Sequence, residues 1–231
     1  MGGRVEAGVV VASPAAPGRP WWRLTRRALR RPAAVVRTAM RLGRNAAMLC
    51  FRRPDYRRWG SAKGFEEWWD ERTVILAALV PRGARVLEFG AGRRQLERYL
   101  PAECDYVPSD LVDRGQGTLV CDLNRRPLPD LGHIGPTVAV FGGVVEYIAD
   151  VPSLVRWLAA SGIHTAIVSF DAAPSGRRPR ARLKEAVRRR HNGYMNSLTE
   201  DQLIEAFKSA GMMCAEKRAW KNQGVYRFVR E

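Results

Sequence analysis

The stretch Arg85-Val-Leu-Glu-Phe-Gly-Ala-Gly92 decides the reading of the chain. Val86 and Leu87 continue an apolar run, as a parallel strand buried on both faces requires. Glu88 then places a carboxylate near the strand tip, and Gly90 and Gly92 bracket one residue. Glycines there permit a tight turn and a close approach to the backbone, because no Cβ intervenes. Ligands of open α/β sheets bind beyond the carboxyl ends of the strands, so this turn is the first candidate binding element.

Working outward, the same unit recurs. Arg93 to Leu100 reads as a short helix stopped by Pro101, and Asp105-Tyr-Val-Pro108 as a second strand with Asp110 just past its end. Glu88 and Asp110 are 22 residues apart, about one strand–helix–strand unit. At that spacing a carboxylate meets ribose hydroxyls in nucleotide-binding folds. Thr118 to Cys121 reads as a third strand ended by Asp122-Leu-Asn124, and Val138 to Phe141 as a fourth running into Gly142-Gly143. Ile163 to Phe170 is the fifth. Thr199 to Ala210 is a helix with an N-cap and acids in its first turn, closed by Gly211. Met212–Arg218 and Val225–Val229 are two last strands, paired antiparallel around Asn222-Gln-Gly224. Alternation of strand and helix argues for a parallel sheet covered on both faces. Glu88, Asp110, Asp122 and Gly142 then converge at one edge.

Upstream lies a helix from Gly64 to Val80 with Phe65, Trp68, Trp69 and Leu76 on its apolar side. Tyr56 and Trp59, in a basic link before it, read as core, with a covering role over a ligand as the alternative. Trp21 to Phe51 reads as a basic amphipathic helix with a break or restart at Pro32. Met1 to Pro20 is a tail rich in Ala, Gly and Pro. The domains expected are therefore a disordered tail over 1–20, a basic helical extension over 21–60 and an α/β domain over 61–231.

Charge is unevenly spread. The net +16 of the 231 residues gathers in two segments. Residues 1–60 hold fourteen arginines against Glu6 and Asp55, a net +12, and residues 177–191 carry +7. The second run sits in an insert, 171–198, on the substrate side of the sheet. A basic segment attracts phosphates, anionic lipid or acidic glycans. The four cysteines are far apart with no C-x-x-C, which argues against a zinc site or a disulfide framework and for a reducing, cytoplasmic setting. No metal is expected. The apolar run Ala7 to Ala12 is too short for a signal peptide or a membrane span.

Four segments in this order resemble the class I S-adenosylmethionine-dependent methyltransferases: Val86-Leu-Glu-Phe-Gly-Ala-Gly92, Asp110, Cys121-Asp-Leu-Asn124 with Pro127-Leu-Pro129, and Phe141-Gly-Gly-Val-Val-Glu-Tyr-Ile148. The resemblance spans about Phe65 to Arg230. It implies a Rossmann-like, doubly wound seven-stranded sheet of order 3-2-1-4-5-7-6 with the last strand antiparallel. It also implies S-adenosylmethionine as cofactor. Gly90 and Gly92 would pass under its methionine part with Glu88 near the amino group. Asp110 would hold the ribose, Asp122 and Leu123 the adenine, and Gly142 and Gly143 the sulfonium side. Two departures stand out: the position of the family's third glycine is Arg94, where it would crowd the turn or add an anion contact, and that of its usual histidine is Tyr147.

The activity implied is methyl transfer by in-line displacement to an oxygen of a small-molecule, glycan or lipid-linked acceptor. An oxygen acceptor wants a base. His164 reads as structural, and His133 has no partner in view. His191, in His191-Asn-Gly-Tyr-Met-Asn196, borders the insert and is the candidate base. Tyr147, Asn192 and Tyr194 are the substrate-side candidates, and Asn196 is a further one. The basic extension reads as a helix packed on the domain with a solvated arginine face, with a peripheral contact with anionic membrane, at the inner surface of the cell, as the alternative. The arginine-rich segments equally admit an RNA methyltransferase. Arg94 and the missing histidine admit a non-catalytic binding protein on the same fold. Nicotinamide binding is disfavoured, since its third glycine would fall at Gln95.

Overall fold

The computed structural model describes residues 21–51, 53–61, 69–115, 117–176 and 179–230, with 21–32 as backbone. The tail over 1–20 and the expected start of the helix at Gly64, with Phe65 and Trp68, lie outside the described residues. The chain divides into two units, Met1–Met40 and Arg41–Glu231.

Helix α1 runs from Trp21 to Cys50. It continues across Pro32, where the sequence suggested a break. A proline removes one rung of the ladder, and the helix persists when the neighbouring rungs hold. The basic link contains a single helical turn, α2 (Tyr56–Trp59), capped by the Asp55 carboxylate on the Arg58 N–H. Helix α3 (Asp70–Ala77) leads to β1 (Arg85–Phe89) through a turn at Gly83.

The sheet comprises β1, β2 (Asp105–Asp110), β3 (Leu119–Val120), β4 (Val138–Gly142), β5 (Thr165–Phe170), β6 (Met212–Trp220) and β7 (Gln223–Arg230). Its order is β3-β2-β1-β4-β5-β7-β6. β1 to β5 are parallel to their neighbours, and β7 is antiparallel to both β5 and β6. This is the architecture expected. Three details differ. Between β1 and β2 the helix is a 3-10 turn at Leu96–Tyr99. β3 is shorter than expected. The final hairpin turns at Lys221-Asn222, with Trp220 opposite Gln223 and Lys221 at φ 52.

Register fixes the functional edge. Phe89 lies level with Ser109 on β2 and Phe141 on β4, and Phe141 lies level with Val168 on β5. Strand alternation sends Leu87, Phe89, Ala139 and Phe141 to one face, under α4 (Val151–Ala160) and α6 (Glu200–Lys208). Phe89 stacks on Phe141 at 4.9 Å, and Phe207 of α6 stacks on Phe228 at 3.8 Å. Val86, Val138 and Val140 go to the other face, against Leu76 and Leu79. Glu88 follows Val86 in that alternation, so its carboxylate is carried to the α3 side. Helix α6 begins with a capping box between Thr199 and Gln202. Helix α5 (Pro179–Asn192) occupies the basic insert.

Candidate active site

One cavity of about 310 Å³ opens at the carboxyl edge of the sheet. That is near the lower end of the range for small-molecule sites. Glu88, Gly90, Gly92, Asp110, Asp122, Leu123, Gly142 and Gly143 all line it, and so do Tyr147, Asn192 and Tyr194. His191 does not. It sits in the last turn of α5, where its carbonyl accepts from Asn45 Nδ2 at 3.2 Å. Burial, with Arg41 and Arg58 nearby, lowers its pKa. The expected base is thus off the wall, because the α5 terminus presents Asn192 and the loop beyond it presents Tyr194 instead.

The floor is the turn after β1. Gly90 has φ +69, and a Cβ there would stand 2.5 Å from Val144 Cγ2. The turn is held by Ala91 N–H on the Ser109 carbonyl and Gly92 N–H on Asp110 Oδ2. Arg94 adopts φ 58, the left-handed conformation a glycine would take without strain. Its guanidinium meets Glu97 at 2.9 Å and stands over the Tyr106 ring, and Arg94 is not on the wall.

The three carboxylates of this end differ in state. Glu88 is buried, accepts from Tyr106 Oη at 2.5 Å, and has a pKa pushed up to about 8, chiefly by burial. Asp110 accepts from Gly92 N, Leu111 N and the Arg114 guanidinium, whose Nε lies 2.7 Å away. Arg114 also donates to the Trp59 carbonyl at 2.5 Å. Asp122 accepts from Asn124 N at 2.9 Å and Tyr56 Oη at 2.7 Å. Both outer carboxylates are therefore tethered to α2. Trp59 is on the wall, half-buried.

The opposite end belongs to the turn after β4. The Gly143 N–H donates to Ser169 Oγ at 2.8 Å. A 3-10 turn, Val145–Tyr147, presents Glu146, which is 1% exposed. Its Oε1 accepts from the Asp171 N–H at 2.8 Å, and its Oε2 has no hydrogen-bond partner. Burial raises its pKa. Tyr147 is wedged edge-on between Trp59, at 5.0 Å, and Tyr194, at 5.4 Å. Tyr194 Oη donates to Asp171 Oδ2 at 3.1 Å, and that carboxylate is also held by Arg188. Arg189 donates to the Asp171 carbonyl and faces the Tyr194 ring at 4.9 Å. Two arginines of the basic insert thus act as its internal frame. Asn196, read as a substrate-side candidate, instead donates to the carbonyls of Val145 and Ile148 and pins the insert to this turn.

Arg72 is the residue that sequence reasoning missed. It comes from α3, is 7% exposed, and stands 5.4 Å from both the Trp69 and Trp220 rings. Its Nη2 donates to the Gly142 carbonyl at 3.1 Å, while its Nε has no hydrogen-bond partner. A Cβ on Gly143, at φ +70, would strike Nη1 at 2.5 Å. The available signal was an arginine three residues after Trp69 and four before Leu76, on the apolar stripe of its helix. Glu146 lay inside a quoted motif, but nothing in its spacing marked it as buried. Among the described residues no cluster of His, Cys, Asp or Glu is arranged to hold a metal ion.

No protein-family model matches the sequence, and no curated protein matches it. Solved structures do. A Nostoc punctiforme PCC 73102 protein, provisionally described as an O-methyltransferase, superposes with a TM-score of 0.61 at 14% identity, over 82% of this chain and 69% of its own. The calicheamicin-biosynthesis methyltransferase CalO1, with S-adenosylhomocysteine bound, gives 0.53 at 15% identity, over 84% and 68%. Magnesium protoporphyrin IX methyltransferase of Synechocystis PCC 6803, with S-adenosylmethionine bound, gives 0.50 at 15% identity, over 78% and 93%. The chain has the fold of the class I S-adenosylmethionine-dependent methyltransferases.

Proposed function

We propose that this chain, built on the class I methyltransferase fold, is an enzyme that transfers a methyl group from S-adenosylmethionine to an oxygen of a small-molecule, glycan or lipid-linked acceptor. The observation that carries the reading is the gathering of Glu88, Asp110, Asp122 and the Gly90–Gly92 turn around one cavity. When bound, the donor supplies a methyl group on a positively charged sulfur.

The residues fit that group, with one rearrangement. Asp122 keeps acceptor capacity for an adenine amino group, and Leu123 offers an apolar surface for the ring. Asp110 has accepted on both oxygens, so a ribose diol takes the place of the Arg114 guanidinium. Glu88 would have to ionise to meet an ammonium group. Arg72, desolvated and facing the turn after β4, would pair with the carboxylate of the same amino-acid moiety. The rings of Trp59 and Tyr147, in edge-on contact with each other on the wall, would offer a cation an aromatic surface.

Glu146 replaces His191 as proton acceptor. Its Oε2 is buried at the cavity wall with no partner, which is where an acceptor hydroxyl would donate. With Glu146 ionised, the acceptor's O–H bond would break toward its Oε2 as the oxygen bonds the methyl carbon and the methyl–sulfur bond opens to a neutral thioether, and Glu146 would then pass the proton to water as the product leaves. Tyr194 and Asn192 bound the acceptor's path. Placement and exclusion of water supply much of the remaining acceleration.

The test has two parts. Calorimetric titration with S-adenosylmethionine and with S-adenosylhomocysteine should show one site; no binding at millimolar ligand removes the reading. Incubation of cell-extract fractions with labelled donor should then show a species heavier by one methyl group, absent with Glu146→Gln protein.

A further inference from the structure

Arg114 is paired with Asp110, Arg188 with Asp171 and Arg44 with Asp55. Arg58 has no such partner. It comes from α2, is half-buried and lines the cavity. Its Nη1 donates to the Asn192 carbonyl at 2.6 Å, and its guanidinium stands 4.5 Å from the centre of the Trp59 ring. Trp59 in turn contacts Tyr147. Arg58 therefore stands with Trp59, Tyr147 and Asn192, at the acceptor end of the cavity. The Asp55 carboxylate takes the backbone N–H of Arg58 and the guanidinium of Arg44, not that of Arg58. Among the described residues Arg58 forms no ion pair, and its guanidinium makes no hydrogen bond besides that to Asn192. A second unpaired cation is near. The pKa of Arg41 is lowered by burial and then by the charges of Arg58 and Arg44, with Asp55 offsetting part of the effect. Elements α1, α2 and α5 thus bring Arg41, Arg58 and His191 close enough to disfavour one another's charge.

We propose that Arg58, with Arg41 near it, forms an oxyanion subsite, so that the methyl acceptor carries a phosphate or carboxylate group. A guanidinium offers such a group a planar fork of N–H donors, and the charge makes each bond stronger than a neutral one. An incoming oxyanion also relieves the repulsion among the neighbouring cations. The bulk charge of the basic segments would draw in any anion. The position of Arg58 does something narrower, because it holds the anion on the wall beside Asn192 and Tyr147. The subsite rests on the methyl-transfer reading for its assignment to the acceptor.

The experiment is calorimetric titration of the full chain, free and loaded with S-adenosylhomocysteine, with phenyl phosphate, with benzoate and with phenol. Phenyl phosphate or benzoate should bind saturably to the loaded protein, and phenol should not. Tighter binding of the first assigns the group to phosphate, and of the second to carboxylate. Arg58→Gln, which can keep the bond to the Asn192 carbonyl without the charge, should weaken that binding by roughly tenfold or more. Arg58→Lys, which keeps the charge, should recover part of the loss, and thermal midpoints check that both variants are folded. Arg182→Gln removes the same charge from an exposed position off the wall and should change nothing. Four results overturn the proposal. Neither anion binds; or Arg58→Gln binds as tightly as wild type; or Arg182→Gln weakens binding equally, which would reduce the effect to bulk charge; or S-adenosylhomocysteine competes with the anion, which would place Arg58 in the donor site. Failure of the methyl-transfer reading is told apart from all four, because it shows as no binding of S-adenosylhomocysteine to wild type.

Discussion

Glu88, Asp110 and Asp122 reach the cavity from the ends of three adjacent strands, whereas Glu146, Tyr147 and Tyr194 reach it from a 3-10 turn and a loop. The first group is placed by the backbone ladder of the sheet. The second is placed by side chains: Asn196 on two carbonyls of the turn, Arg188 and Tyr194 on Asp171, and Asn124 on the Tyr147 carbonyl. A ladder tolerates little variation without loss of the fold. Side-chain ties can be exchanged one at a time. On the proposed reading, the difference teaches that the donor end would be fixed by architecture, while the acceptor end would be free to be specific to one substrate.

If the two ends are separable, Glu146→Gln should lower turnover about 100-fold or more while leaving donor affinity within about threefold, read by single-turnover kinetics and calorimetry. A collapse of donor affinity would join the ends. The converse is Asp110→Asn, which should weaken donor binding about 30-fold through loss of a charged hydrogen-bond acceptor, with the rate at saturating donor little altered.

The donor end should also report pH. The Glu88 carboxyl, held up to about 8, is neutral below that value and ionised above it. An ammonium prefers the ionised form, so donor affinity should rise, by up to about tenfold, from about pH 6 to about pH 8, and fall again above it as the donor's own α-ammonium loses its proton. Stability of the free protein runs the other way. A raised carboxyl stabilises the fold fully below its unfolded pKa, and that contribution is lost as pH climbs toward about 8. Glu88→Gln should flatten both profiles, and an unchanged affinity slope would remove Glu88 from the donor site. The smallest effect is expected from Tyr56→Phe. Freeing Asp122 of its phenol partner should tighten donor binding about threefold, and weakening instead would make Tyr56 part of the adenine site.

The same division governs what the sequence could tell. Strand ends were legible because an apolar run stopping at Glu88, Asp110, Asp122 or Gly142 marks its own end, and parallel strands share one edge. The antiparallel hairpin at the end of the chain was legible, but its turn was not: it falls at Lys221-Asn222, with Gln223 and Gly224 already in β7. Arg72 was not, because a guanidinium sandwiched by Trp69 and Trp220 depends on residues 151 positions apart meeting in space. His191 lies off the cavity wall, and proximity to the insert in sequence says nothing of which residue of the last α5 turn faces inward. For α1 the pattern gave two sides, but nothing in it foretold that Asn45 is buried with its amide on the Arg190 carbonyl, 145 positions away.

Three indoles stand on the cavity wall: Trp59, Trp69 and Trp220. A fourth, Trp157, lies across the core against Phe89 with its Nε1–H on the Pro129 carbonyl. The protein therefore carries its own optical probe. Ligands entering the cavity should quench or shift the emission of the first three while the last serves as an internal reference, so that occupancy can be followed in a stopped-flow fluorimeter without dye, radioisotope or a known acceptor.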